Sequence, residues 1–174
     1  MNQSKKFTEK AIEDMILEIA GKDGLSVYNI LKNKQNVNEF DIANKLKLTI
    51  NQIRNLIYKF EQYNLVTSIR KKDRKKGWYI YFFTFNEKEA EKSSIILKKN
   101  KIEQLKKKLN RESSHEFYAC PNKCIRITIE NAIENNFTCM ECNNLLQPEE
   151  REKNTIKIAK EIKVIEEELN KLKP

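Results

Sequence analysis

Four cysteines in two close pairs are the feature that most limits how this chain can fold. Cys120 and Cys124 form a C-x3-C pair, and after 14 residues Cys139 and Cys142 form a C-x2-C pair. Two such pairs predict tetrahedral ligation of one Zn²⁺ ion by four thiolates at the ends of a small β-ribbon. Four protein ligands leave no position for a reacting water, so the predicted zinc is structural. A segment of about 30 residues has too little core to fold without the metal.

Two details of the cysteine pairs leave the geometry of this site open. The first pair is one residue wider than the common C-x2-C loop, and Ile125 and Asn143 follow the two second cysteines, where glycine is usual. The residue directly after the second cysteine of each pair is expected to have a positive φ, which asparagine adopts more readily than isoleucine. The single histidine, His115, is a candidate substitute ligand. The alternative to a metal site is a set of four unrelated buried cysteines.

The composition favours a mainly α-helical fold with a small β content. Charged residues make up 34% of the 174 residues, and there are only 3 glycines and 3 prolines, so long helices are expected. No apolar run approaches the roughly 18 residues of a membrane span, and the N-terminus lacks the apolar region of a signal peptide. We therefore expect a cytoplasmic protein without membrane contact, whose reduced cysteines are metal ligands rather than disulfides.

Residues 1–86 carry the pattern of an N-terminal winged helix-turn-helix domain. Apolar residues recur at helical spacing over residues 8–20, and Gly21 and Gly24 are expected to end this helix. A shorter helix is predicted over residues 26–32. Two further helices and a two-stranded hairpin complete the domain.

The third and fourth helices are predicted to form the helix-turn-helix. Asn38 is expected to cap the third helix, and Thr49 with Gln52 forms a capping-box pattern for the fourth. The fourth helix takes the position that reads DNA in such domains. Few of its predicted outward residues are cationic, which favours packing or protein contact over base reading; these residues are Asn51, Arg54, Asn55, Tyr58, Lys59 and Gln62.

A basic hairpin follows and is predicted to be the wing. Strand patterns over residues 65–70 and 78–85 flank a charged tip, and residues 65–85 hold six basic residues and one acidic residue. The second strand is apolar or aromatic on both faces, so one face must pack on the helices and the other is open to a partner. Cations at the tip suit phosphate contact, although a solvated basic surface is the commoner explanation of a charge run.

Two charged helices are predicted on either side of the cysteine segment, 115–147. A basic helical linker covers residues 87–114, and an amphipathic C-terminal helix covers residues 148–174. Each apolar stripe is too short to be stable alone, so we expect the two helices to pack antiparallel on each other. A helix of a partner subunit is the alternative. The basic linker is either a solvated spacer or a DNA-tracking surface.

This order of parts resembles the archaeal transcription factor E family, which is homologous to the alpha subunit of the general factor TFIIE. The resemblance is carried by the basic tip running into Gly77-Trp78-Tyr79-Ile80-Tyr81, by the entry to the cysteine segment at residues 117–121, and by the paired cysteines. It implies a general transcription initiation factor without catalytic activity. Such a factor joins the preinitiation complex with the TATA-binding protein and transcription factor B, binds the clamp and stalk of RNA polymerase, and promotes or stabilises promoter opening.

The resemblance also implies which residues meet these partners. The wing should face the polymerase or the non-template strand of promoter DNA. The resemblance also implies a location in the cytoplasm of an archaeal cell, in association with the nucleoid. The residues predicted to make these contacts are Arg70, Lys71, Lys72, Arg74, Lys75, Lys76, Trp78, Tyr79 and Tyr81. Whether a TFIIE-beta-like subunit binds as well is left open. The alternative function is a winged-helix transcriptional regulator whose zinc site is structural or senses metal or redox state.

Overall fold

A computed structural model describes residues 3–72 and 77–172 of the chain. The fold is mainly α-helical with two small antiparallel sheets, as predicted. The chain divides into two compact units. The first extends to Leu97 and also takes in the end of the last helix from Lys171, and the second comprises Lys98–Asn170. Within the described residues, no helix is both long and apolar enough to cross a membrane.

The first helix, α1 (Gln3–Leu31), joins the two helices that were predicted separately. Gly21 interrupts it with a non-helical backbone (φ 69°), which only glycine adopts at low cost. The prediction that Gly24 also ends a helix is wrong, because Gly24 lies inside α1. A Cβ atom at Gly24 would come 2.3 Å from the Cβ of Ala20, so this close approach requires glycine.

The helix-turn-helix is formed by α2 (Glu39–Leu46) and α3 (Ile50–Glu61), after a short strand, β1 (Val37–Asn38). Both predicted caps are confirmed. The side chain of Asn38 accepts a hydrogen bond from the backbone N–H of Phe40, and Thr49 and Gln52 form a capping box.

The wing consists of β2 (Val66–Lys72) and β3 (Tyr79–Phe85), and β1 pairs with the other edge of β3. The face of β3 that carries Phe83 and Phe85 packs on the helices, and the Phe85 ring lies 4.8 Å from that of Tyr28. These rings belong to one core of buried residues built from α1, α2, α3 and the sheet.

The second unit begins within α4 (Glu87–Ser114), which confirms the long linker helix. The ribbon follows as β4 (Phe117–Ala119), β5 (Arg126–Thr128), a short α5 (Ile129–Glu134) and β6 (Gln147–Pro148), with strand order β5-β4-β6. The chain then enters α6 (Arg151–Leu172).

Within the second unit, α4 and α6 pack antiparallel, as expected. Lys98 pairs with Glu168 (Nζ–Oε2 2.5 Å), and two turns later Lys106 pairs with Glu166 (Nζ–Oε1 2.8 Å). The two helices bury an apolar stripe that includes Ile102, Ile158, Ile162, Ile165 and Leu169.

Candidate functional site

The four cysteine sulfurs converge at one end of the ribbon, as their spacing predicts. All four lie within 4.8 Å of one another, and the Sγ atoms of Cys120 and Cys142 are 3.4 Å apart. A tetrahedral site with Zn–S bonds of about 2.3 Å places its sulfurs roughly 3.8 Å apart. A disulfide would need about 2.05 Å, so the arrangement fits a metal site and not a disulfide pair.

The second cysteine loop, which contains Cys139 and Cys142, is closed by two backbone hydrogen bonds. The N–H of Cys139 donates to the carbonyl of Asn144 (2.9 Å), and the N–H of Asn143 donates to the carbonyl of Cys139 (2.8 Å). Asn143 has a φ of 56°, the left-handed conformation expected directly after the second cysteine.

The first loop, which contains Cys120 and Cys124, has the same length but a shifted cysteine. The N–H of Cys120 donates to the carbonyl of Ile125 (3.0 Å), five residues on, as in the second loop. Here Lys123 has the left-handed backbone (φ 58°), one place before the second cysteine. In the first loop the fourth residue makes the turn and the fifth is the cysteine, whereas in the second loop the fourth is the cysteine and the fifth makes the turn. The C-x3-C spacing therefore leaves the length of the loop unchanged.

The electrostatics of the cluster also fit a divalent cation. The pKa of the Cys142 thiol is lowered to about 7, chiefly by the hydrogen bond from the backbone N–H of Asn144. The pKa of Cys124 is raised to about 12, chiefly by its interaction with the Cys142 sulfur. The two shifts have opposite directions because a negative charge on the Cys142 sulfur disfavours a second one on the neighbouring Cys124 sulfur. A dication at the centre would remove this repulsion.

The ribbon side chains around the cluster support it from one side. Cys120 and Cys139 are buried against Ala132 and Leu146, whereas Cys124 is exposed. His115 does not belong to the metal-binding cluster found among the described residues, and its Nδ1 lies 4.0 Å from Glu130.

Arg126 forms a clamp that the sequence patterns do not predict. Its guanidinium binds both oxygens of Glu112 (2.6 and 3.2 Å) at the end of α4, and it also binds Glu149 just before α6 (2.7 Å). The same guanidinium lies 3.8 Å from the centre of the Phe117 ring. Glu112 is buried, and Arg126 is its nearer cation, since Arg111 approaches it only at 3.9 Å. Arg126 therefore ties β5 to the adjoining ends of both helices.

The wing carries the second candidate site, a surface of cations and aromatic rings. We call the described residues Arg70, Lys71, Lys72, Trp78 and Tyr79 the wing surface. Arg70 lies 4.8 Å from the Tyr79 ring, and both Trp78 (56%) and Tyr79 (49%) are highly exposed. The three remaining predicted tip cations, Arg74, Lys75 and Lys76, lie outside the described residues.

Tyr81, the last of the predicted contact residues, has different surroundings. It is half-buried, its ring is stacked on that of Phe83 at 6.3 Å, and the guanidinium of Arg54 lies 5.0 Å away. Tyr81 therefore forms part of the base of the wing rather than its exposed tip.

A buried ion pair lies beneath the wing and corrects the prediction that Arg54 points outward. Glu39, which is fully buried, accepts hydrogen bonds from Nε (2.9 Å) and Nη2 (3.0 Å) of Arg54 and from the backbone N–H of Tyr81 (3.0 Å). The guanidinium of Arg54 is thus paired with the carboxylate of Glu39. In α3, which the structure describes in full, Lys59 is the one cation left to face a partner.

Comparison with known proteins gives one consistent family. The profile of the TFIIE alpha subunit matches residues 10–116. Transcription factor E of Metallosphaera sedula is 31% identical over 92% of each chain. The protein of the same name from Cenarchaeum symbiosum is 32% identical over 90% of this chain and 95% of its own. The one from Methanococcus maripaludis is 30% identical over 92% and 93%.

Proposed function

Because the chain belongs to the TFIIE alpha family, we propose that it is a transcription initiation factor that binds RNA polymerase and favours the open state of promoter DNA. Its relatives are transcription factors and not enzymes. The observation that carries the proposal is on the wing surface, where the cation of Arg70 lies 4.8 Å from the exposed ring of Tyr79.

The chemistry of the wing surface suits separated strands better than closed duplex. Bases of an unpaired strand stack on exposed aromatic rings such as Trp78 and Tyr79, and neighbouring cations contact the phosphates. A factor that binds the open state more tightly than the closed state shifts the equilibrium by that difference in affinity.

The alternative, a sequence-specific regulator, is disfavoured by α3. A reading helix needs side chains that reach base edges in the major groove, most often arginine or lysine. Arg54 is held by Glu39, which leaves Lys59 as the available cation of the helix. We therefore assign α3 to packing and protein contact.

The remaining parts of the proposal concern the metal, the partners and the division of the chain. One structural zinc ion would be held by Cys120, Cys124, Cys139 and Cys142. The partners would be the polymerase clamp and stalk, the TATA-binding protein, transcription factor B and the non-template strand, in the cytoplasm of an archaeal cell. The domains proposed are the winged helix (1–86), linker (87–114), ribbon (115–147) and C-terminal helix (148–174).

The test is promoter opening in a reconstituted transcription system with a wing variant. We expect the double substitution Trp78→Ala and Tyr79→Ala to lower the yield of open complexes roughly tenfold or more, since each base–aromatic stack contributes about 1–3 kcal/mol. Because both side chains are exposed, the fold and zinc content should be unchanged.

A matched control is offered by two exposed aromatic residues on the helices. Phe7→Ala with Phe40→Ala removes rings that are 44% and 41% exposed on α1 and α2. Open-complex yield should stay near the wild-type level in this control. A normal yield with the wing variant, or an equal loss in both variants, would reject the assignment of opening to the wing.

A further inference from the structure

The part of α4 in the second unit has a strongly cationic surface that the proposed function does not use. Residues 98–111 hold seven basic residues and one acidic residue. Lys98 and Lys106 are neutralised by Glu168 and Glu166 of α6. The other five cations, which include Lys101, are all exposed. Four of them form what we call the outer face of α4: Lys99, Lys107, Lys108 and Arg111.

The charge of this surface has no counterpart on the neighbouring helix. Lys99, Lys107 and Lys108 form no ion pair within the part of the chain that the structure describes, and Arg111 only approaches its neighbour Glu112, at 3.9 Å. In contrast, α6 is nearly balanced, with six basic and five acidic residues. The positive potential of the two-helix pair is therefore concentrated on α4.

We propose that the outer face of α4 binds the phosphate backbone of duplex DNA without reading its sequence. The helix rises about 1.5 Å per residue, so Lys99 and Arg111 lie roughly 18 Å apart along its axis. Duplex DNA carries about ten phosphates over that length, so several lie within reach of the four cations. The inference rests on the proposed function only for the identity of the duplex, which would be promoter DNA.

The composition of the helix favours a duplex over a single strand. Proteins that hold single strands combine cations with aromatic rings on which bases stack. From Glu87 to Ser114, α4 contains no aromatic residue. Its exposed neutral positions include Asn100 and Gln104, which can donate hydrogen bonds to phosphates.

The packing of α4 also disfavours a membrane surface as the partner. A basic amphipathic helix binds lipid by inserting its apolar face beneath the headgroups. In this protein that face is used in packing, since Ile102 is buried and Leu105 and Leu109 are half-buried on the part of α4 whose Lys98 and Lys106 pair with α6. The cations are therefore available to a partner that is bound through charge alone, such as the phosphate backbone of DNA.

The experiment compares two triple variants of the full chain with the same loss of charge. One carries Lys99, Lys107 and Lys108 replaced by glutamine on α4, and the other carries Lys157, Lys160 and Lys163 replaced by glutamine on α6. All six lysines are exposed, so both variants should fold and retain zinc, which circular dichroism and metal content would verify. Affinity for duplexes of unrelated sequence is measured over a series of salt concentrations.

The α4 variant should bind every duplex more weakly, and the slope of log K against log salt should fall by about 0.9 per lost phosphate contact, or nearly 3 in total. The α6 variant should keep the wild-type slope. Equal changes in the two variants, or no change in either, would overturn the proposal. So would a loss confined to single-stranded DNA or to anionic phosphatidylserine vesicles. These binding data are independent of the wing variant, so failure of one proposal is distinguishable from failure of the other.

Discussion

Replacing Cys139 with serine is expected to abolish zinc binding and to unfold the ribbon, while the winged helix stays folded. Cys139 is completely buried beside Ala132 and Leu146, and few other buried side chains support the ribbon. Structural zinc contributes about 10–16 kcal/mol to the folding of zinc-finger peptides, far more than so small a core supplies. The winged helix has its own core, which includes no ribbon residue.

The measurement combines metal content with limited proteolysis. Wild-type protein purified without chelators should contain one zinc per chain, and the Cys139→Ser variant none, with new cleavage confined to residues 115–147. Met140→Ser is the matched control, because Met140 lies in the same loop but is 67% exposed and is not a ligand. Zinc-free wild-type protein, or a variant that retains zinc, would contradict this account of the site.

The second large effect is expected from Arg54→Ala, which leaves the carboxylate of Glu39 buried without its cation. Removing one partner of a buried ion pair lowers the free energy of unfolding by about 3–5 kcal/mol. The value here should lie near the lower end, at about 3 kcal/mol, because the Arg54 side chain is 33% exposed and water can partly replace it.

Denaturant unfolding of the zinc-loaded chain measures this loss. Lys59→Ala is the control, since it removes the other cation of α3 from an exposed position that forms no ion pair with any residue the structure describes, and it should cost less than about 0.5 kcal/mol. A double variant with Glu39→Gln and Arg54→Met should recover part of the stability. If Arg54→Ala and Lys59→Ala were equally mild, Glu39 would not depend on Arg54.

The parts of the structure that depend on local sequence could be predicted. The caps at Asn38 and Thr49 use side chains two or three residues from their partners, so the sequence contains the whole interaction. The convergence of the four cysteines is predictable for a related reason, because metal ligation demands sulfur ligands at restricted spacings.

The parts that depend on tertiary contacts could not be predicted. Arg54 belongs to a helical pattern that points it outward, and only the position of Glu39, 15 residues earlier, shows that it is used internally. Arg126 looks like an ordinary strand residue, although its carboxylate partners lie 14 and 23 residues away. In the first cysteine loop, spacing alone cannot show that Lys123 takes the left-handed turn.

We propose that this chain acts on the transcription machinery and not on an operator of its own. This is tested by the retention of RNA polymerase from the same organism on the immobilised 174-residue chain at physiological salt, without DNA. We expect stoichiometric retention of the polymerase by wild-type protein. Absence of polymerase, together with tight binding of one defined duplex sequence, would contradict the claim and support the regulator instead.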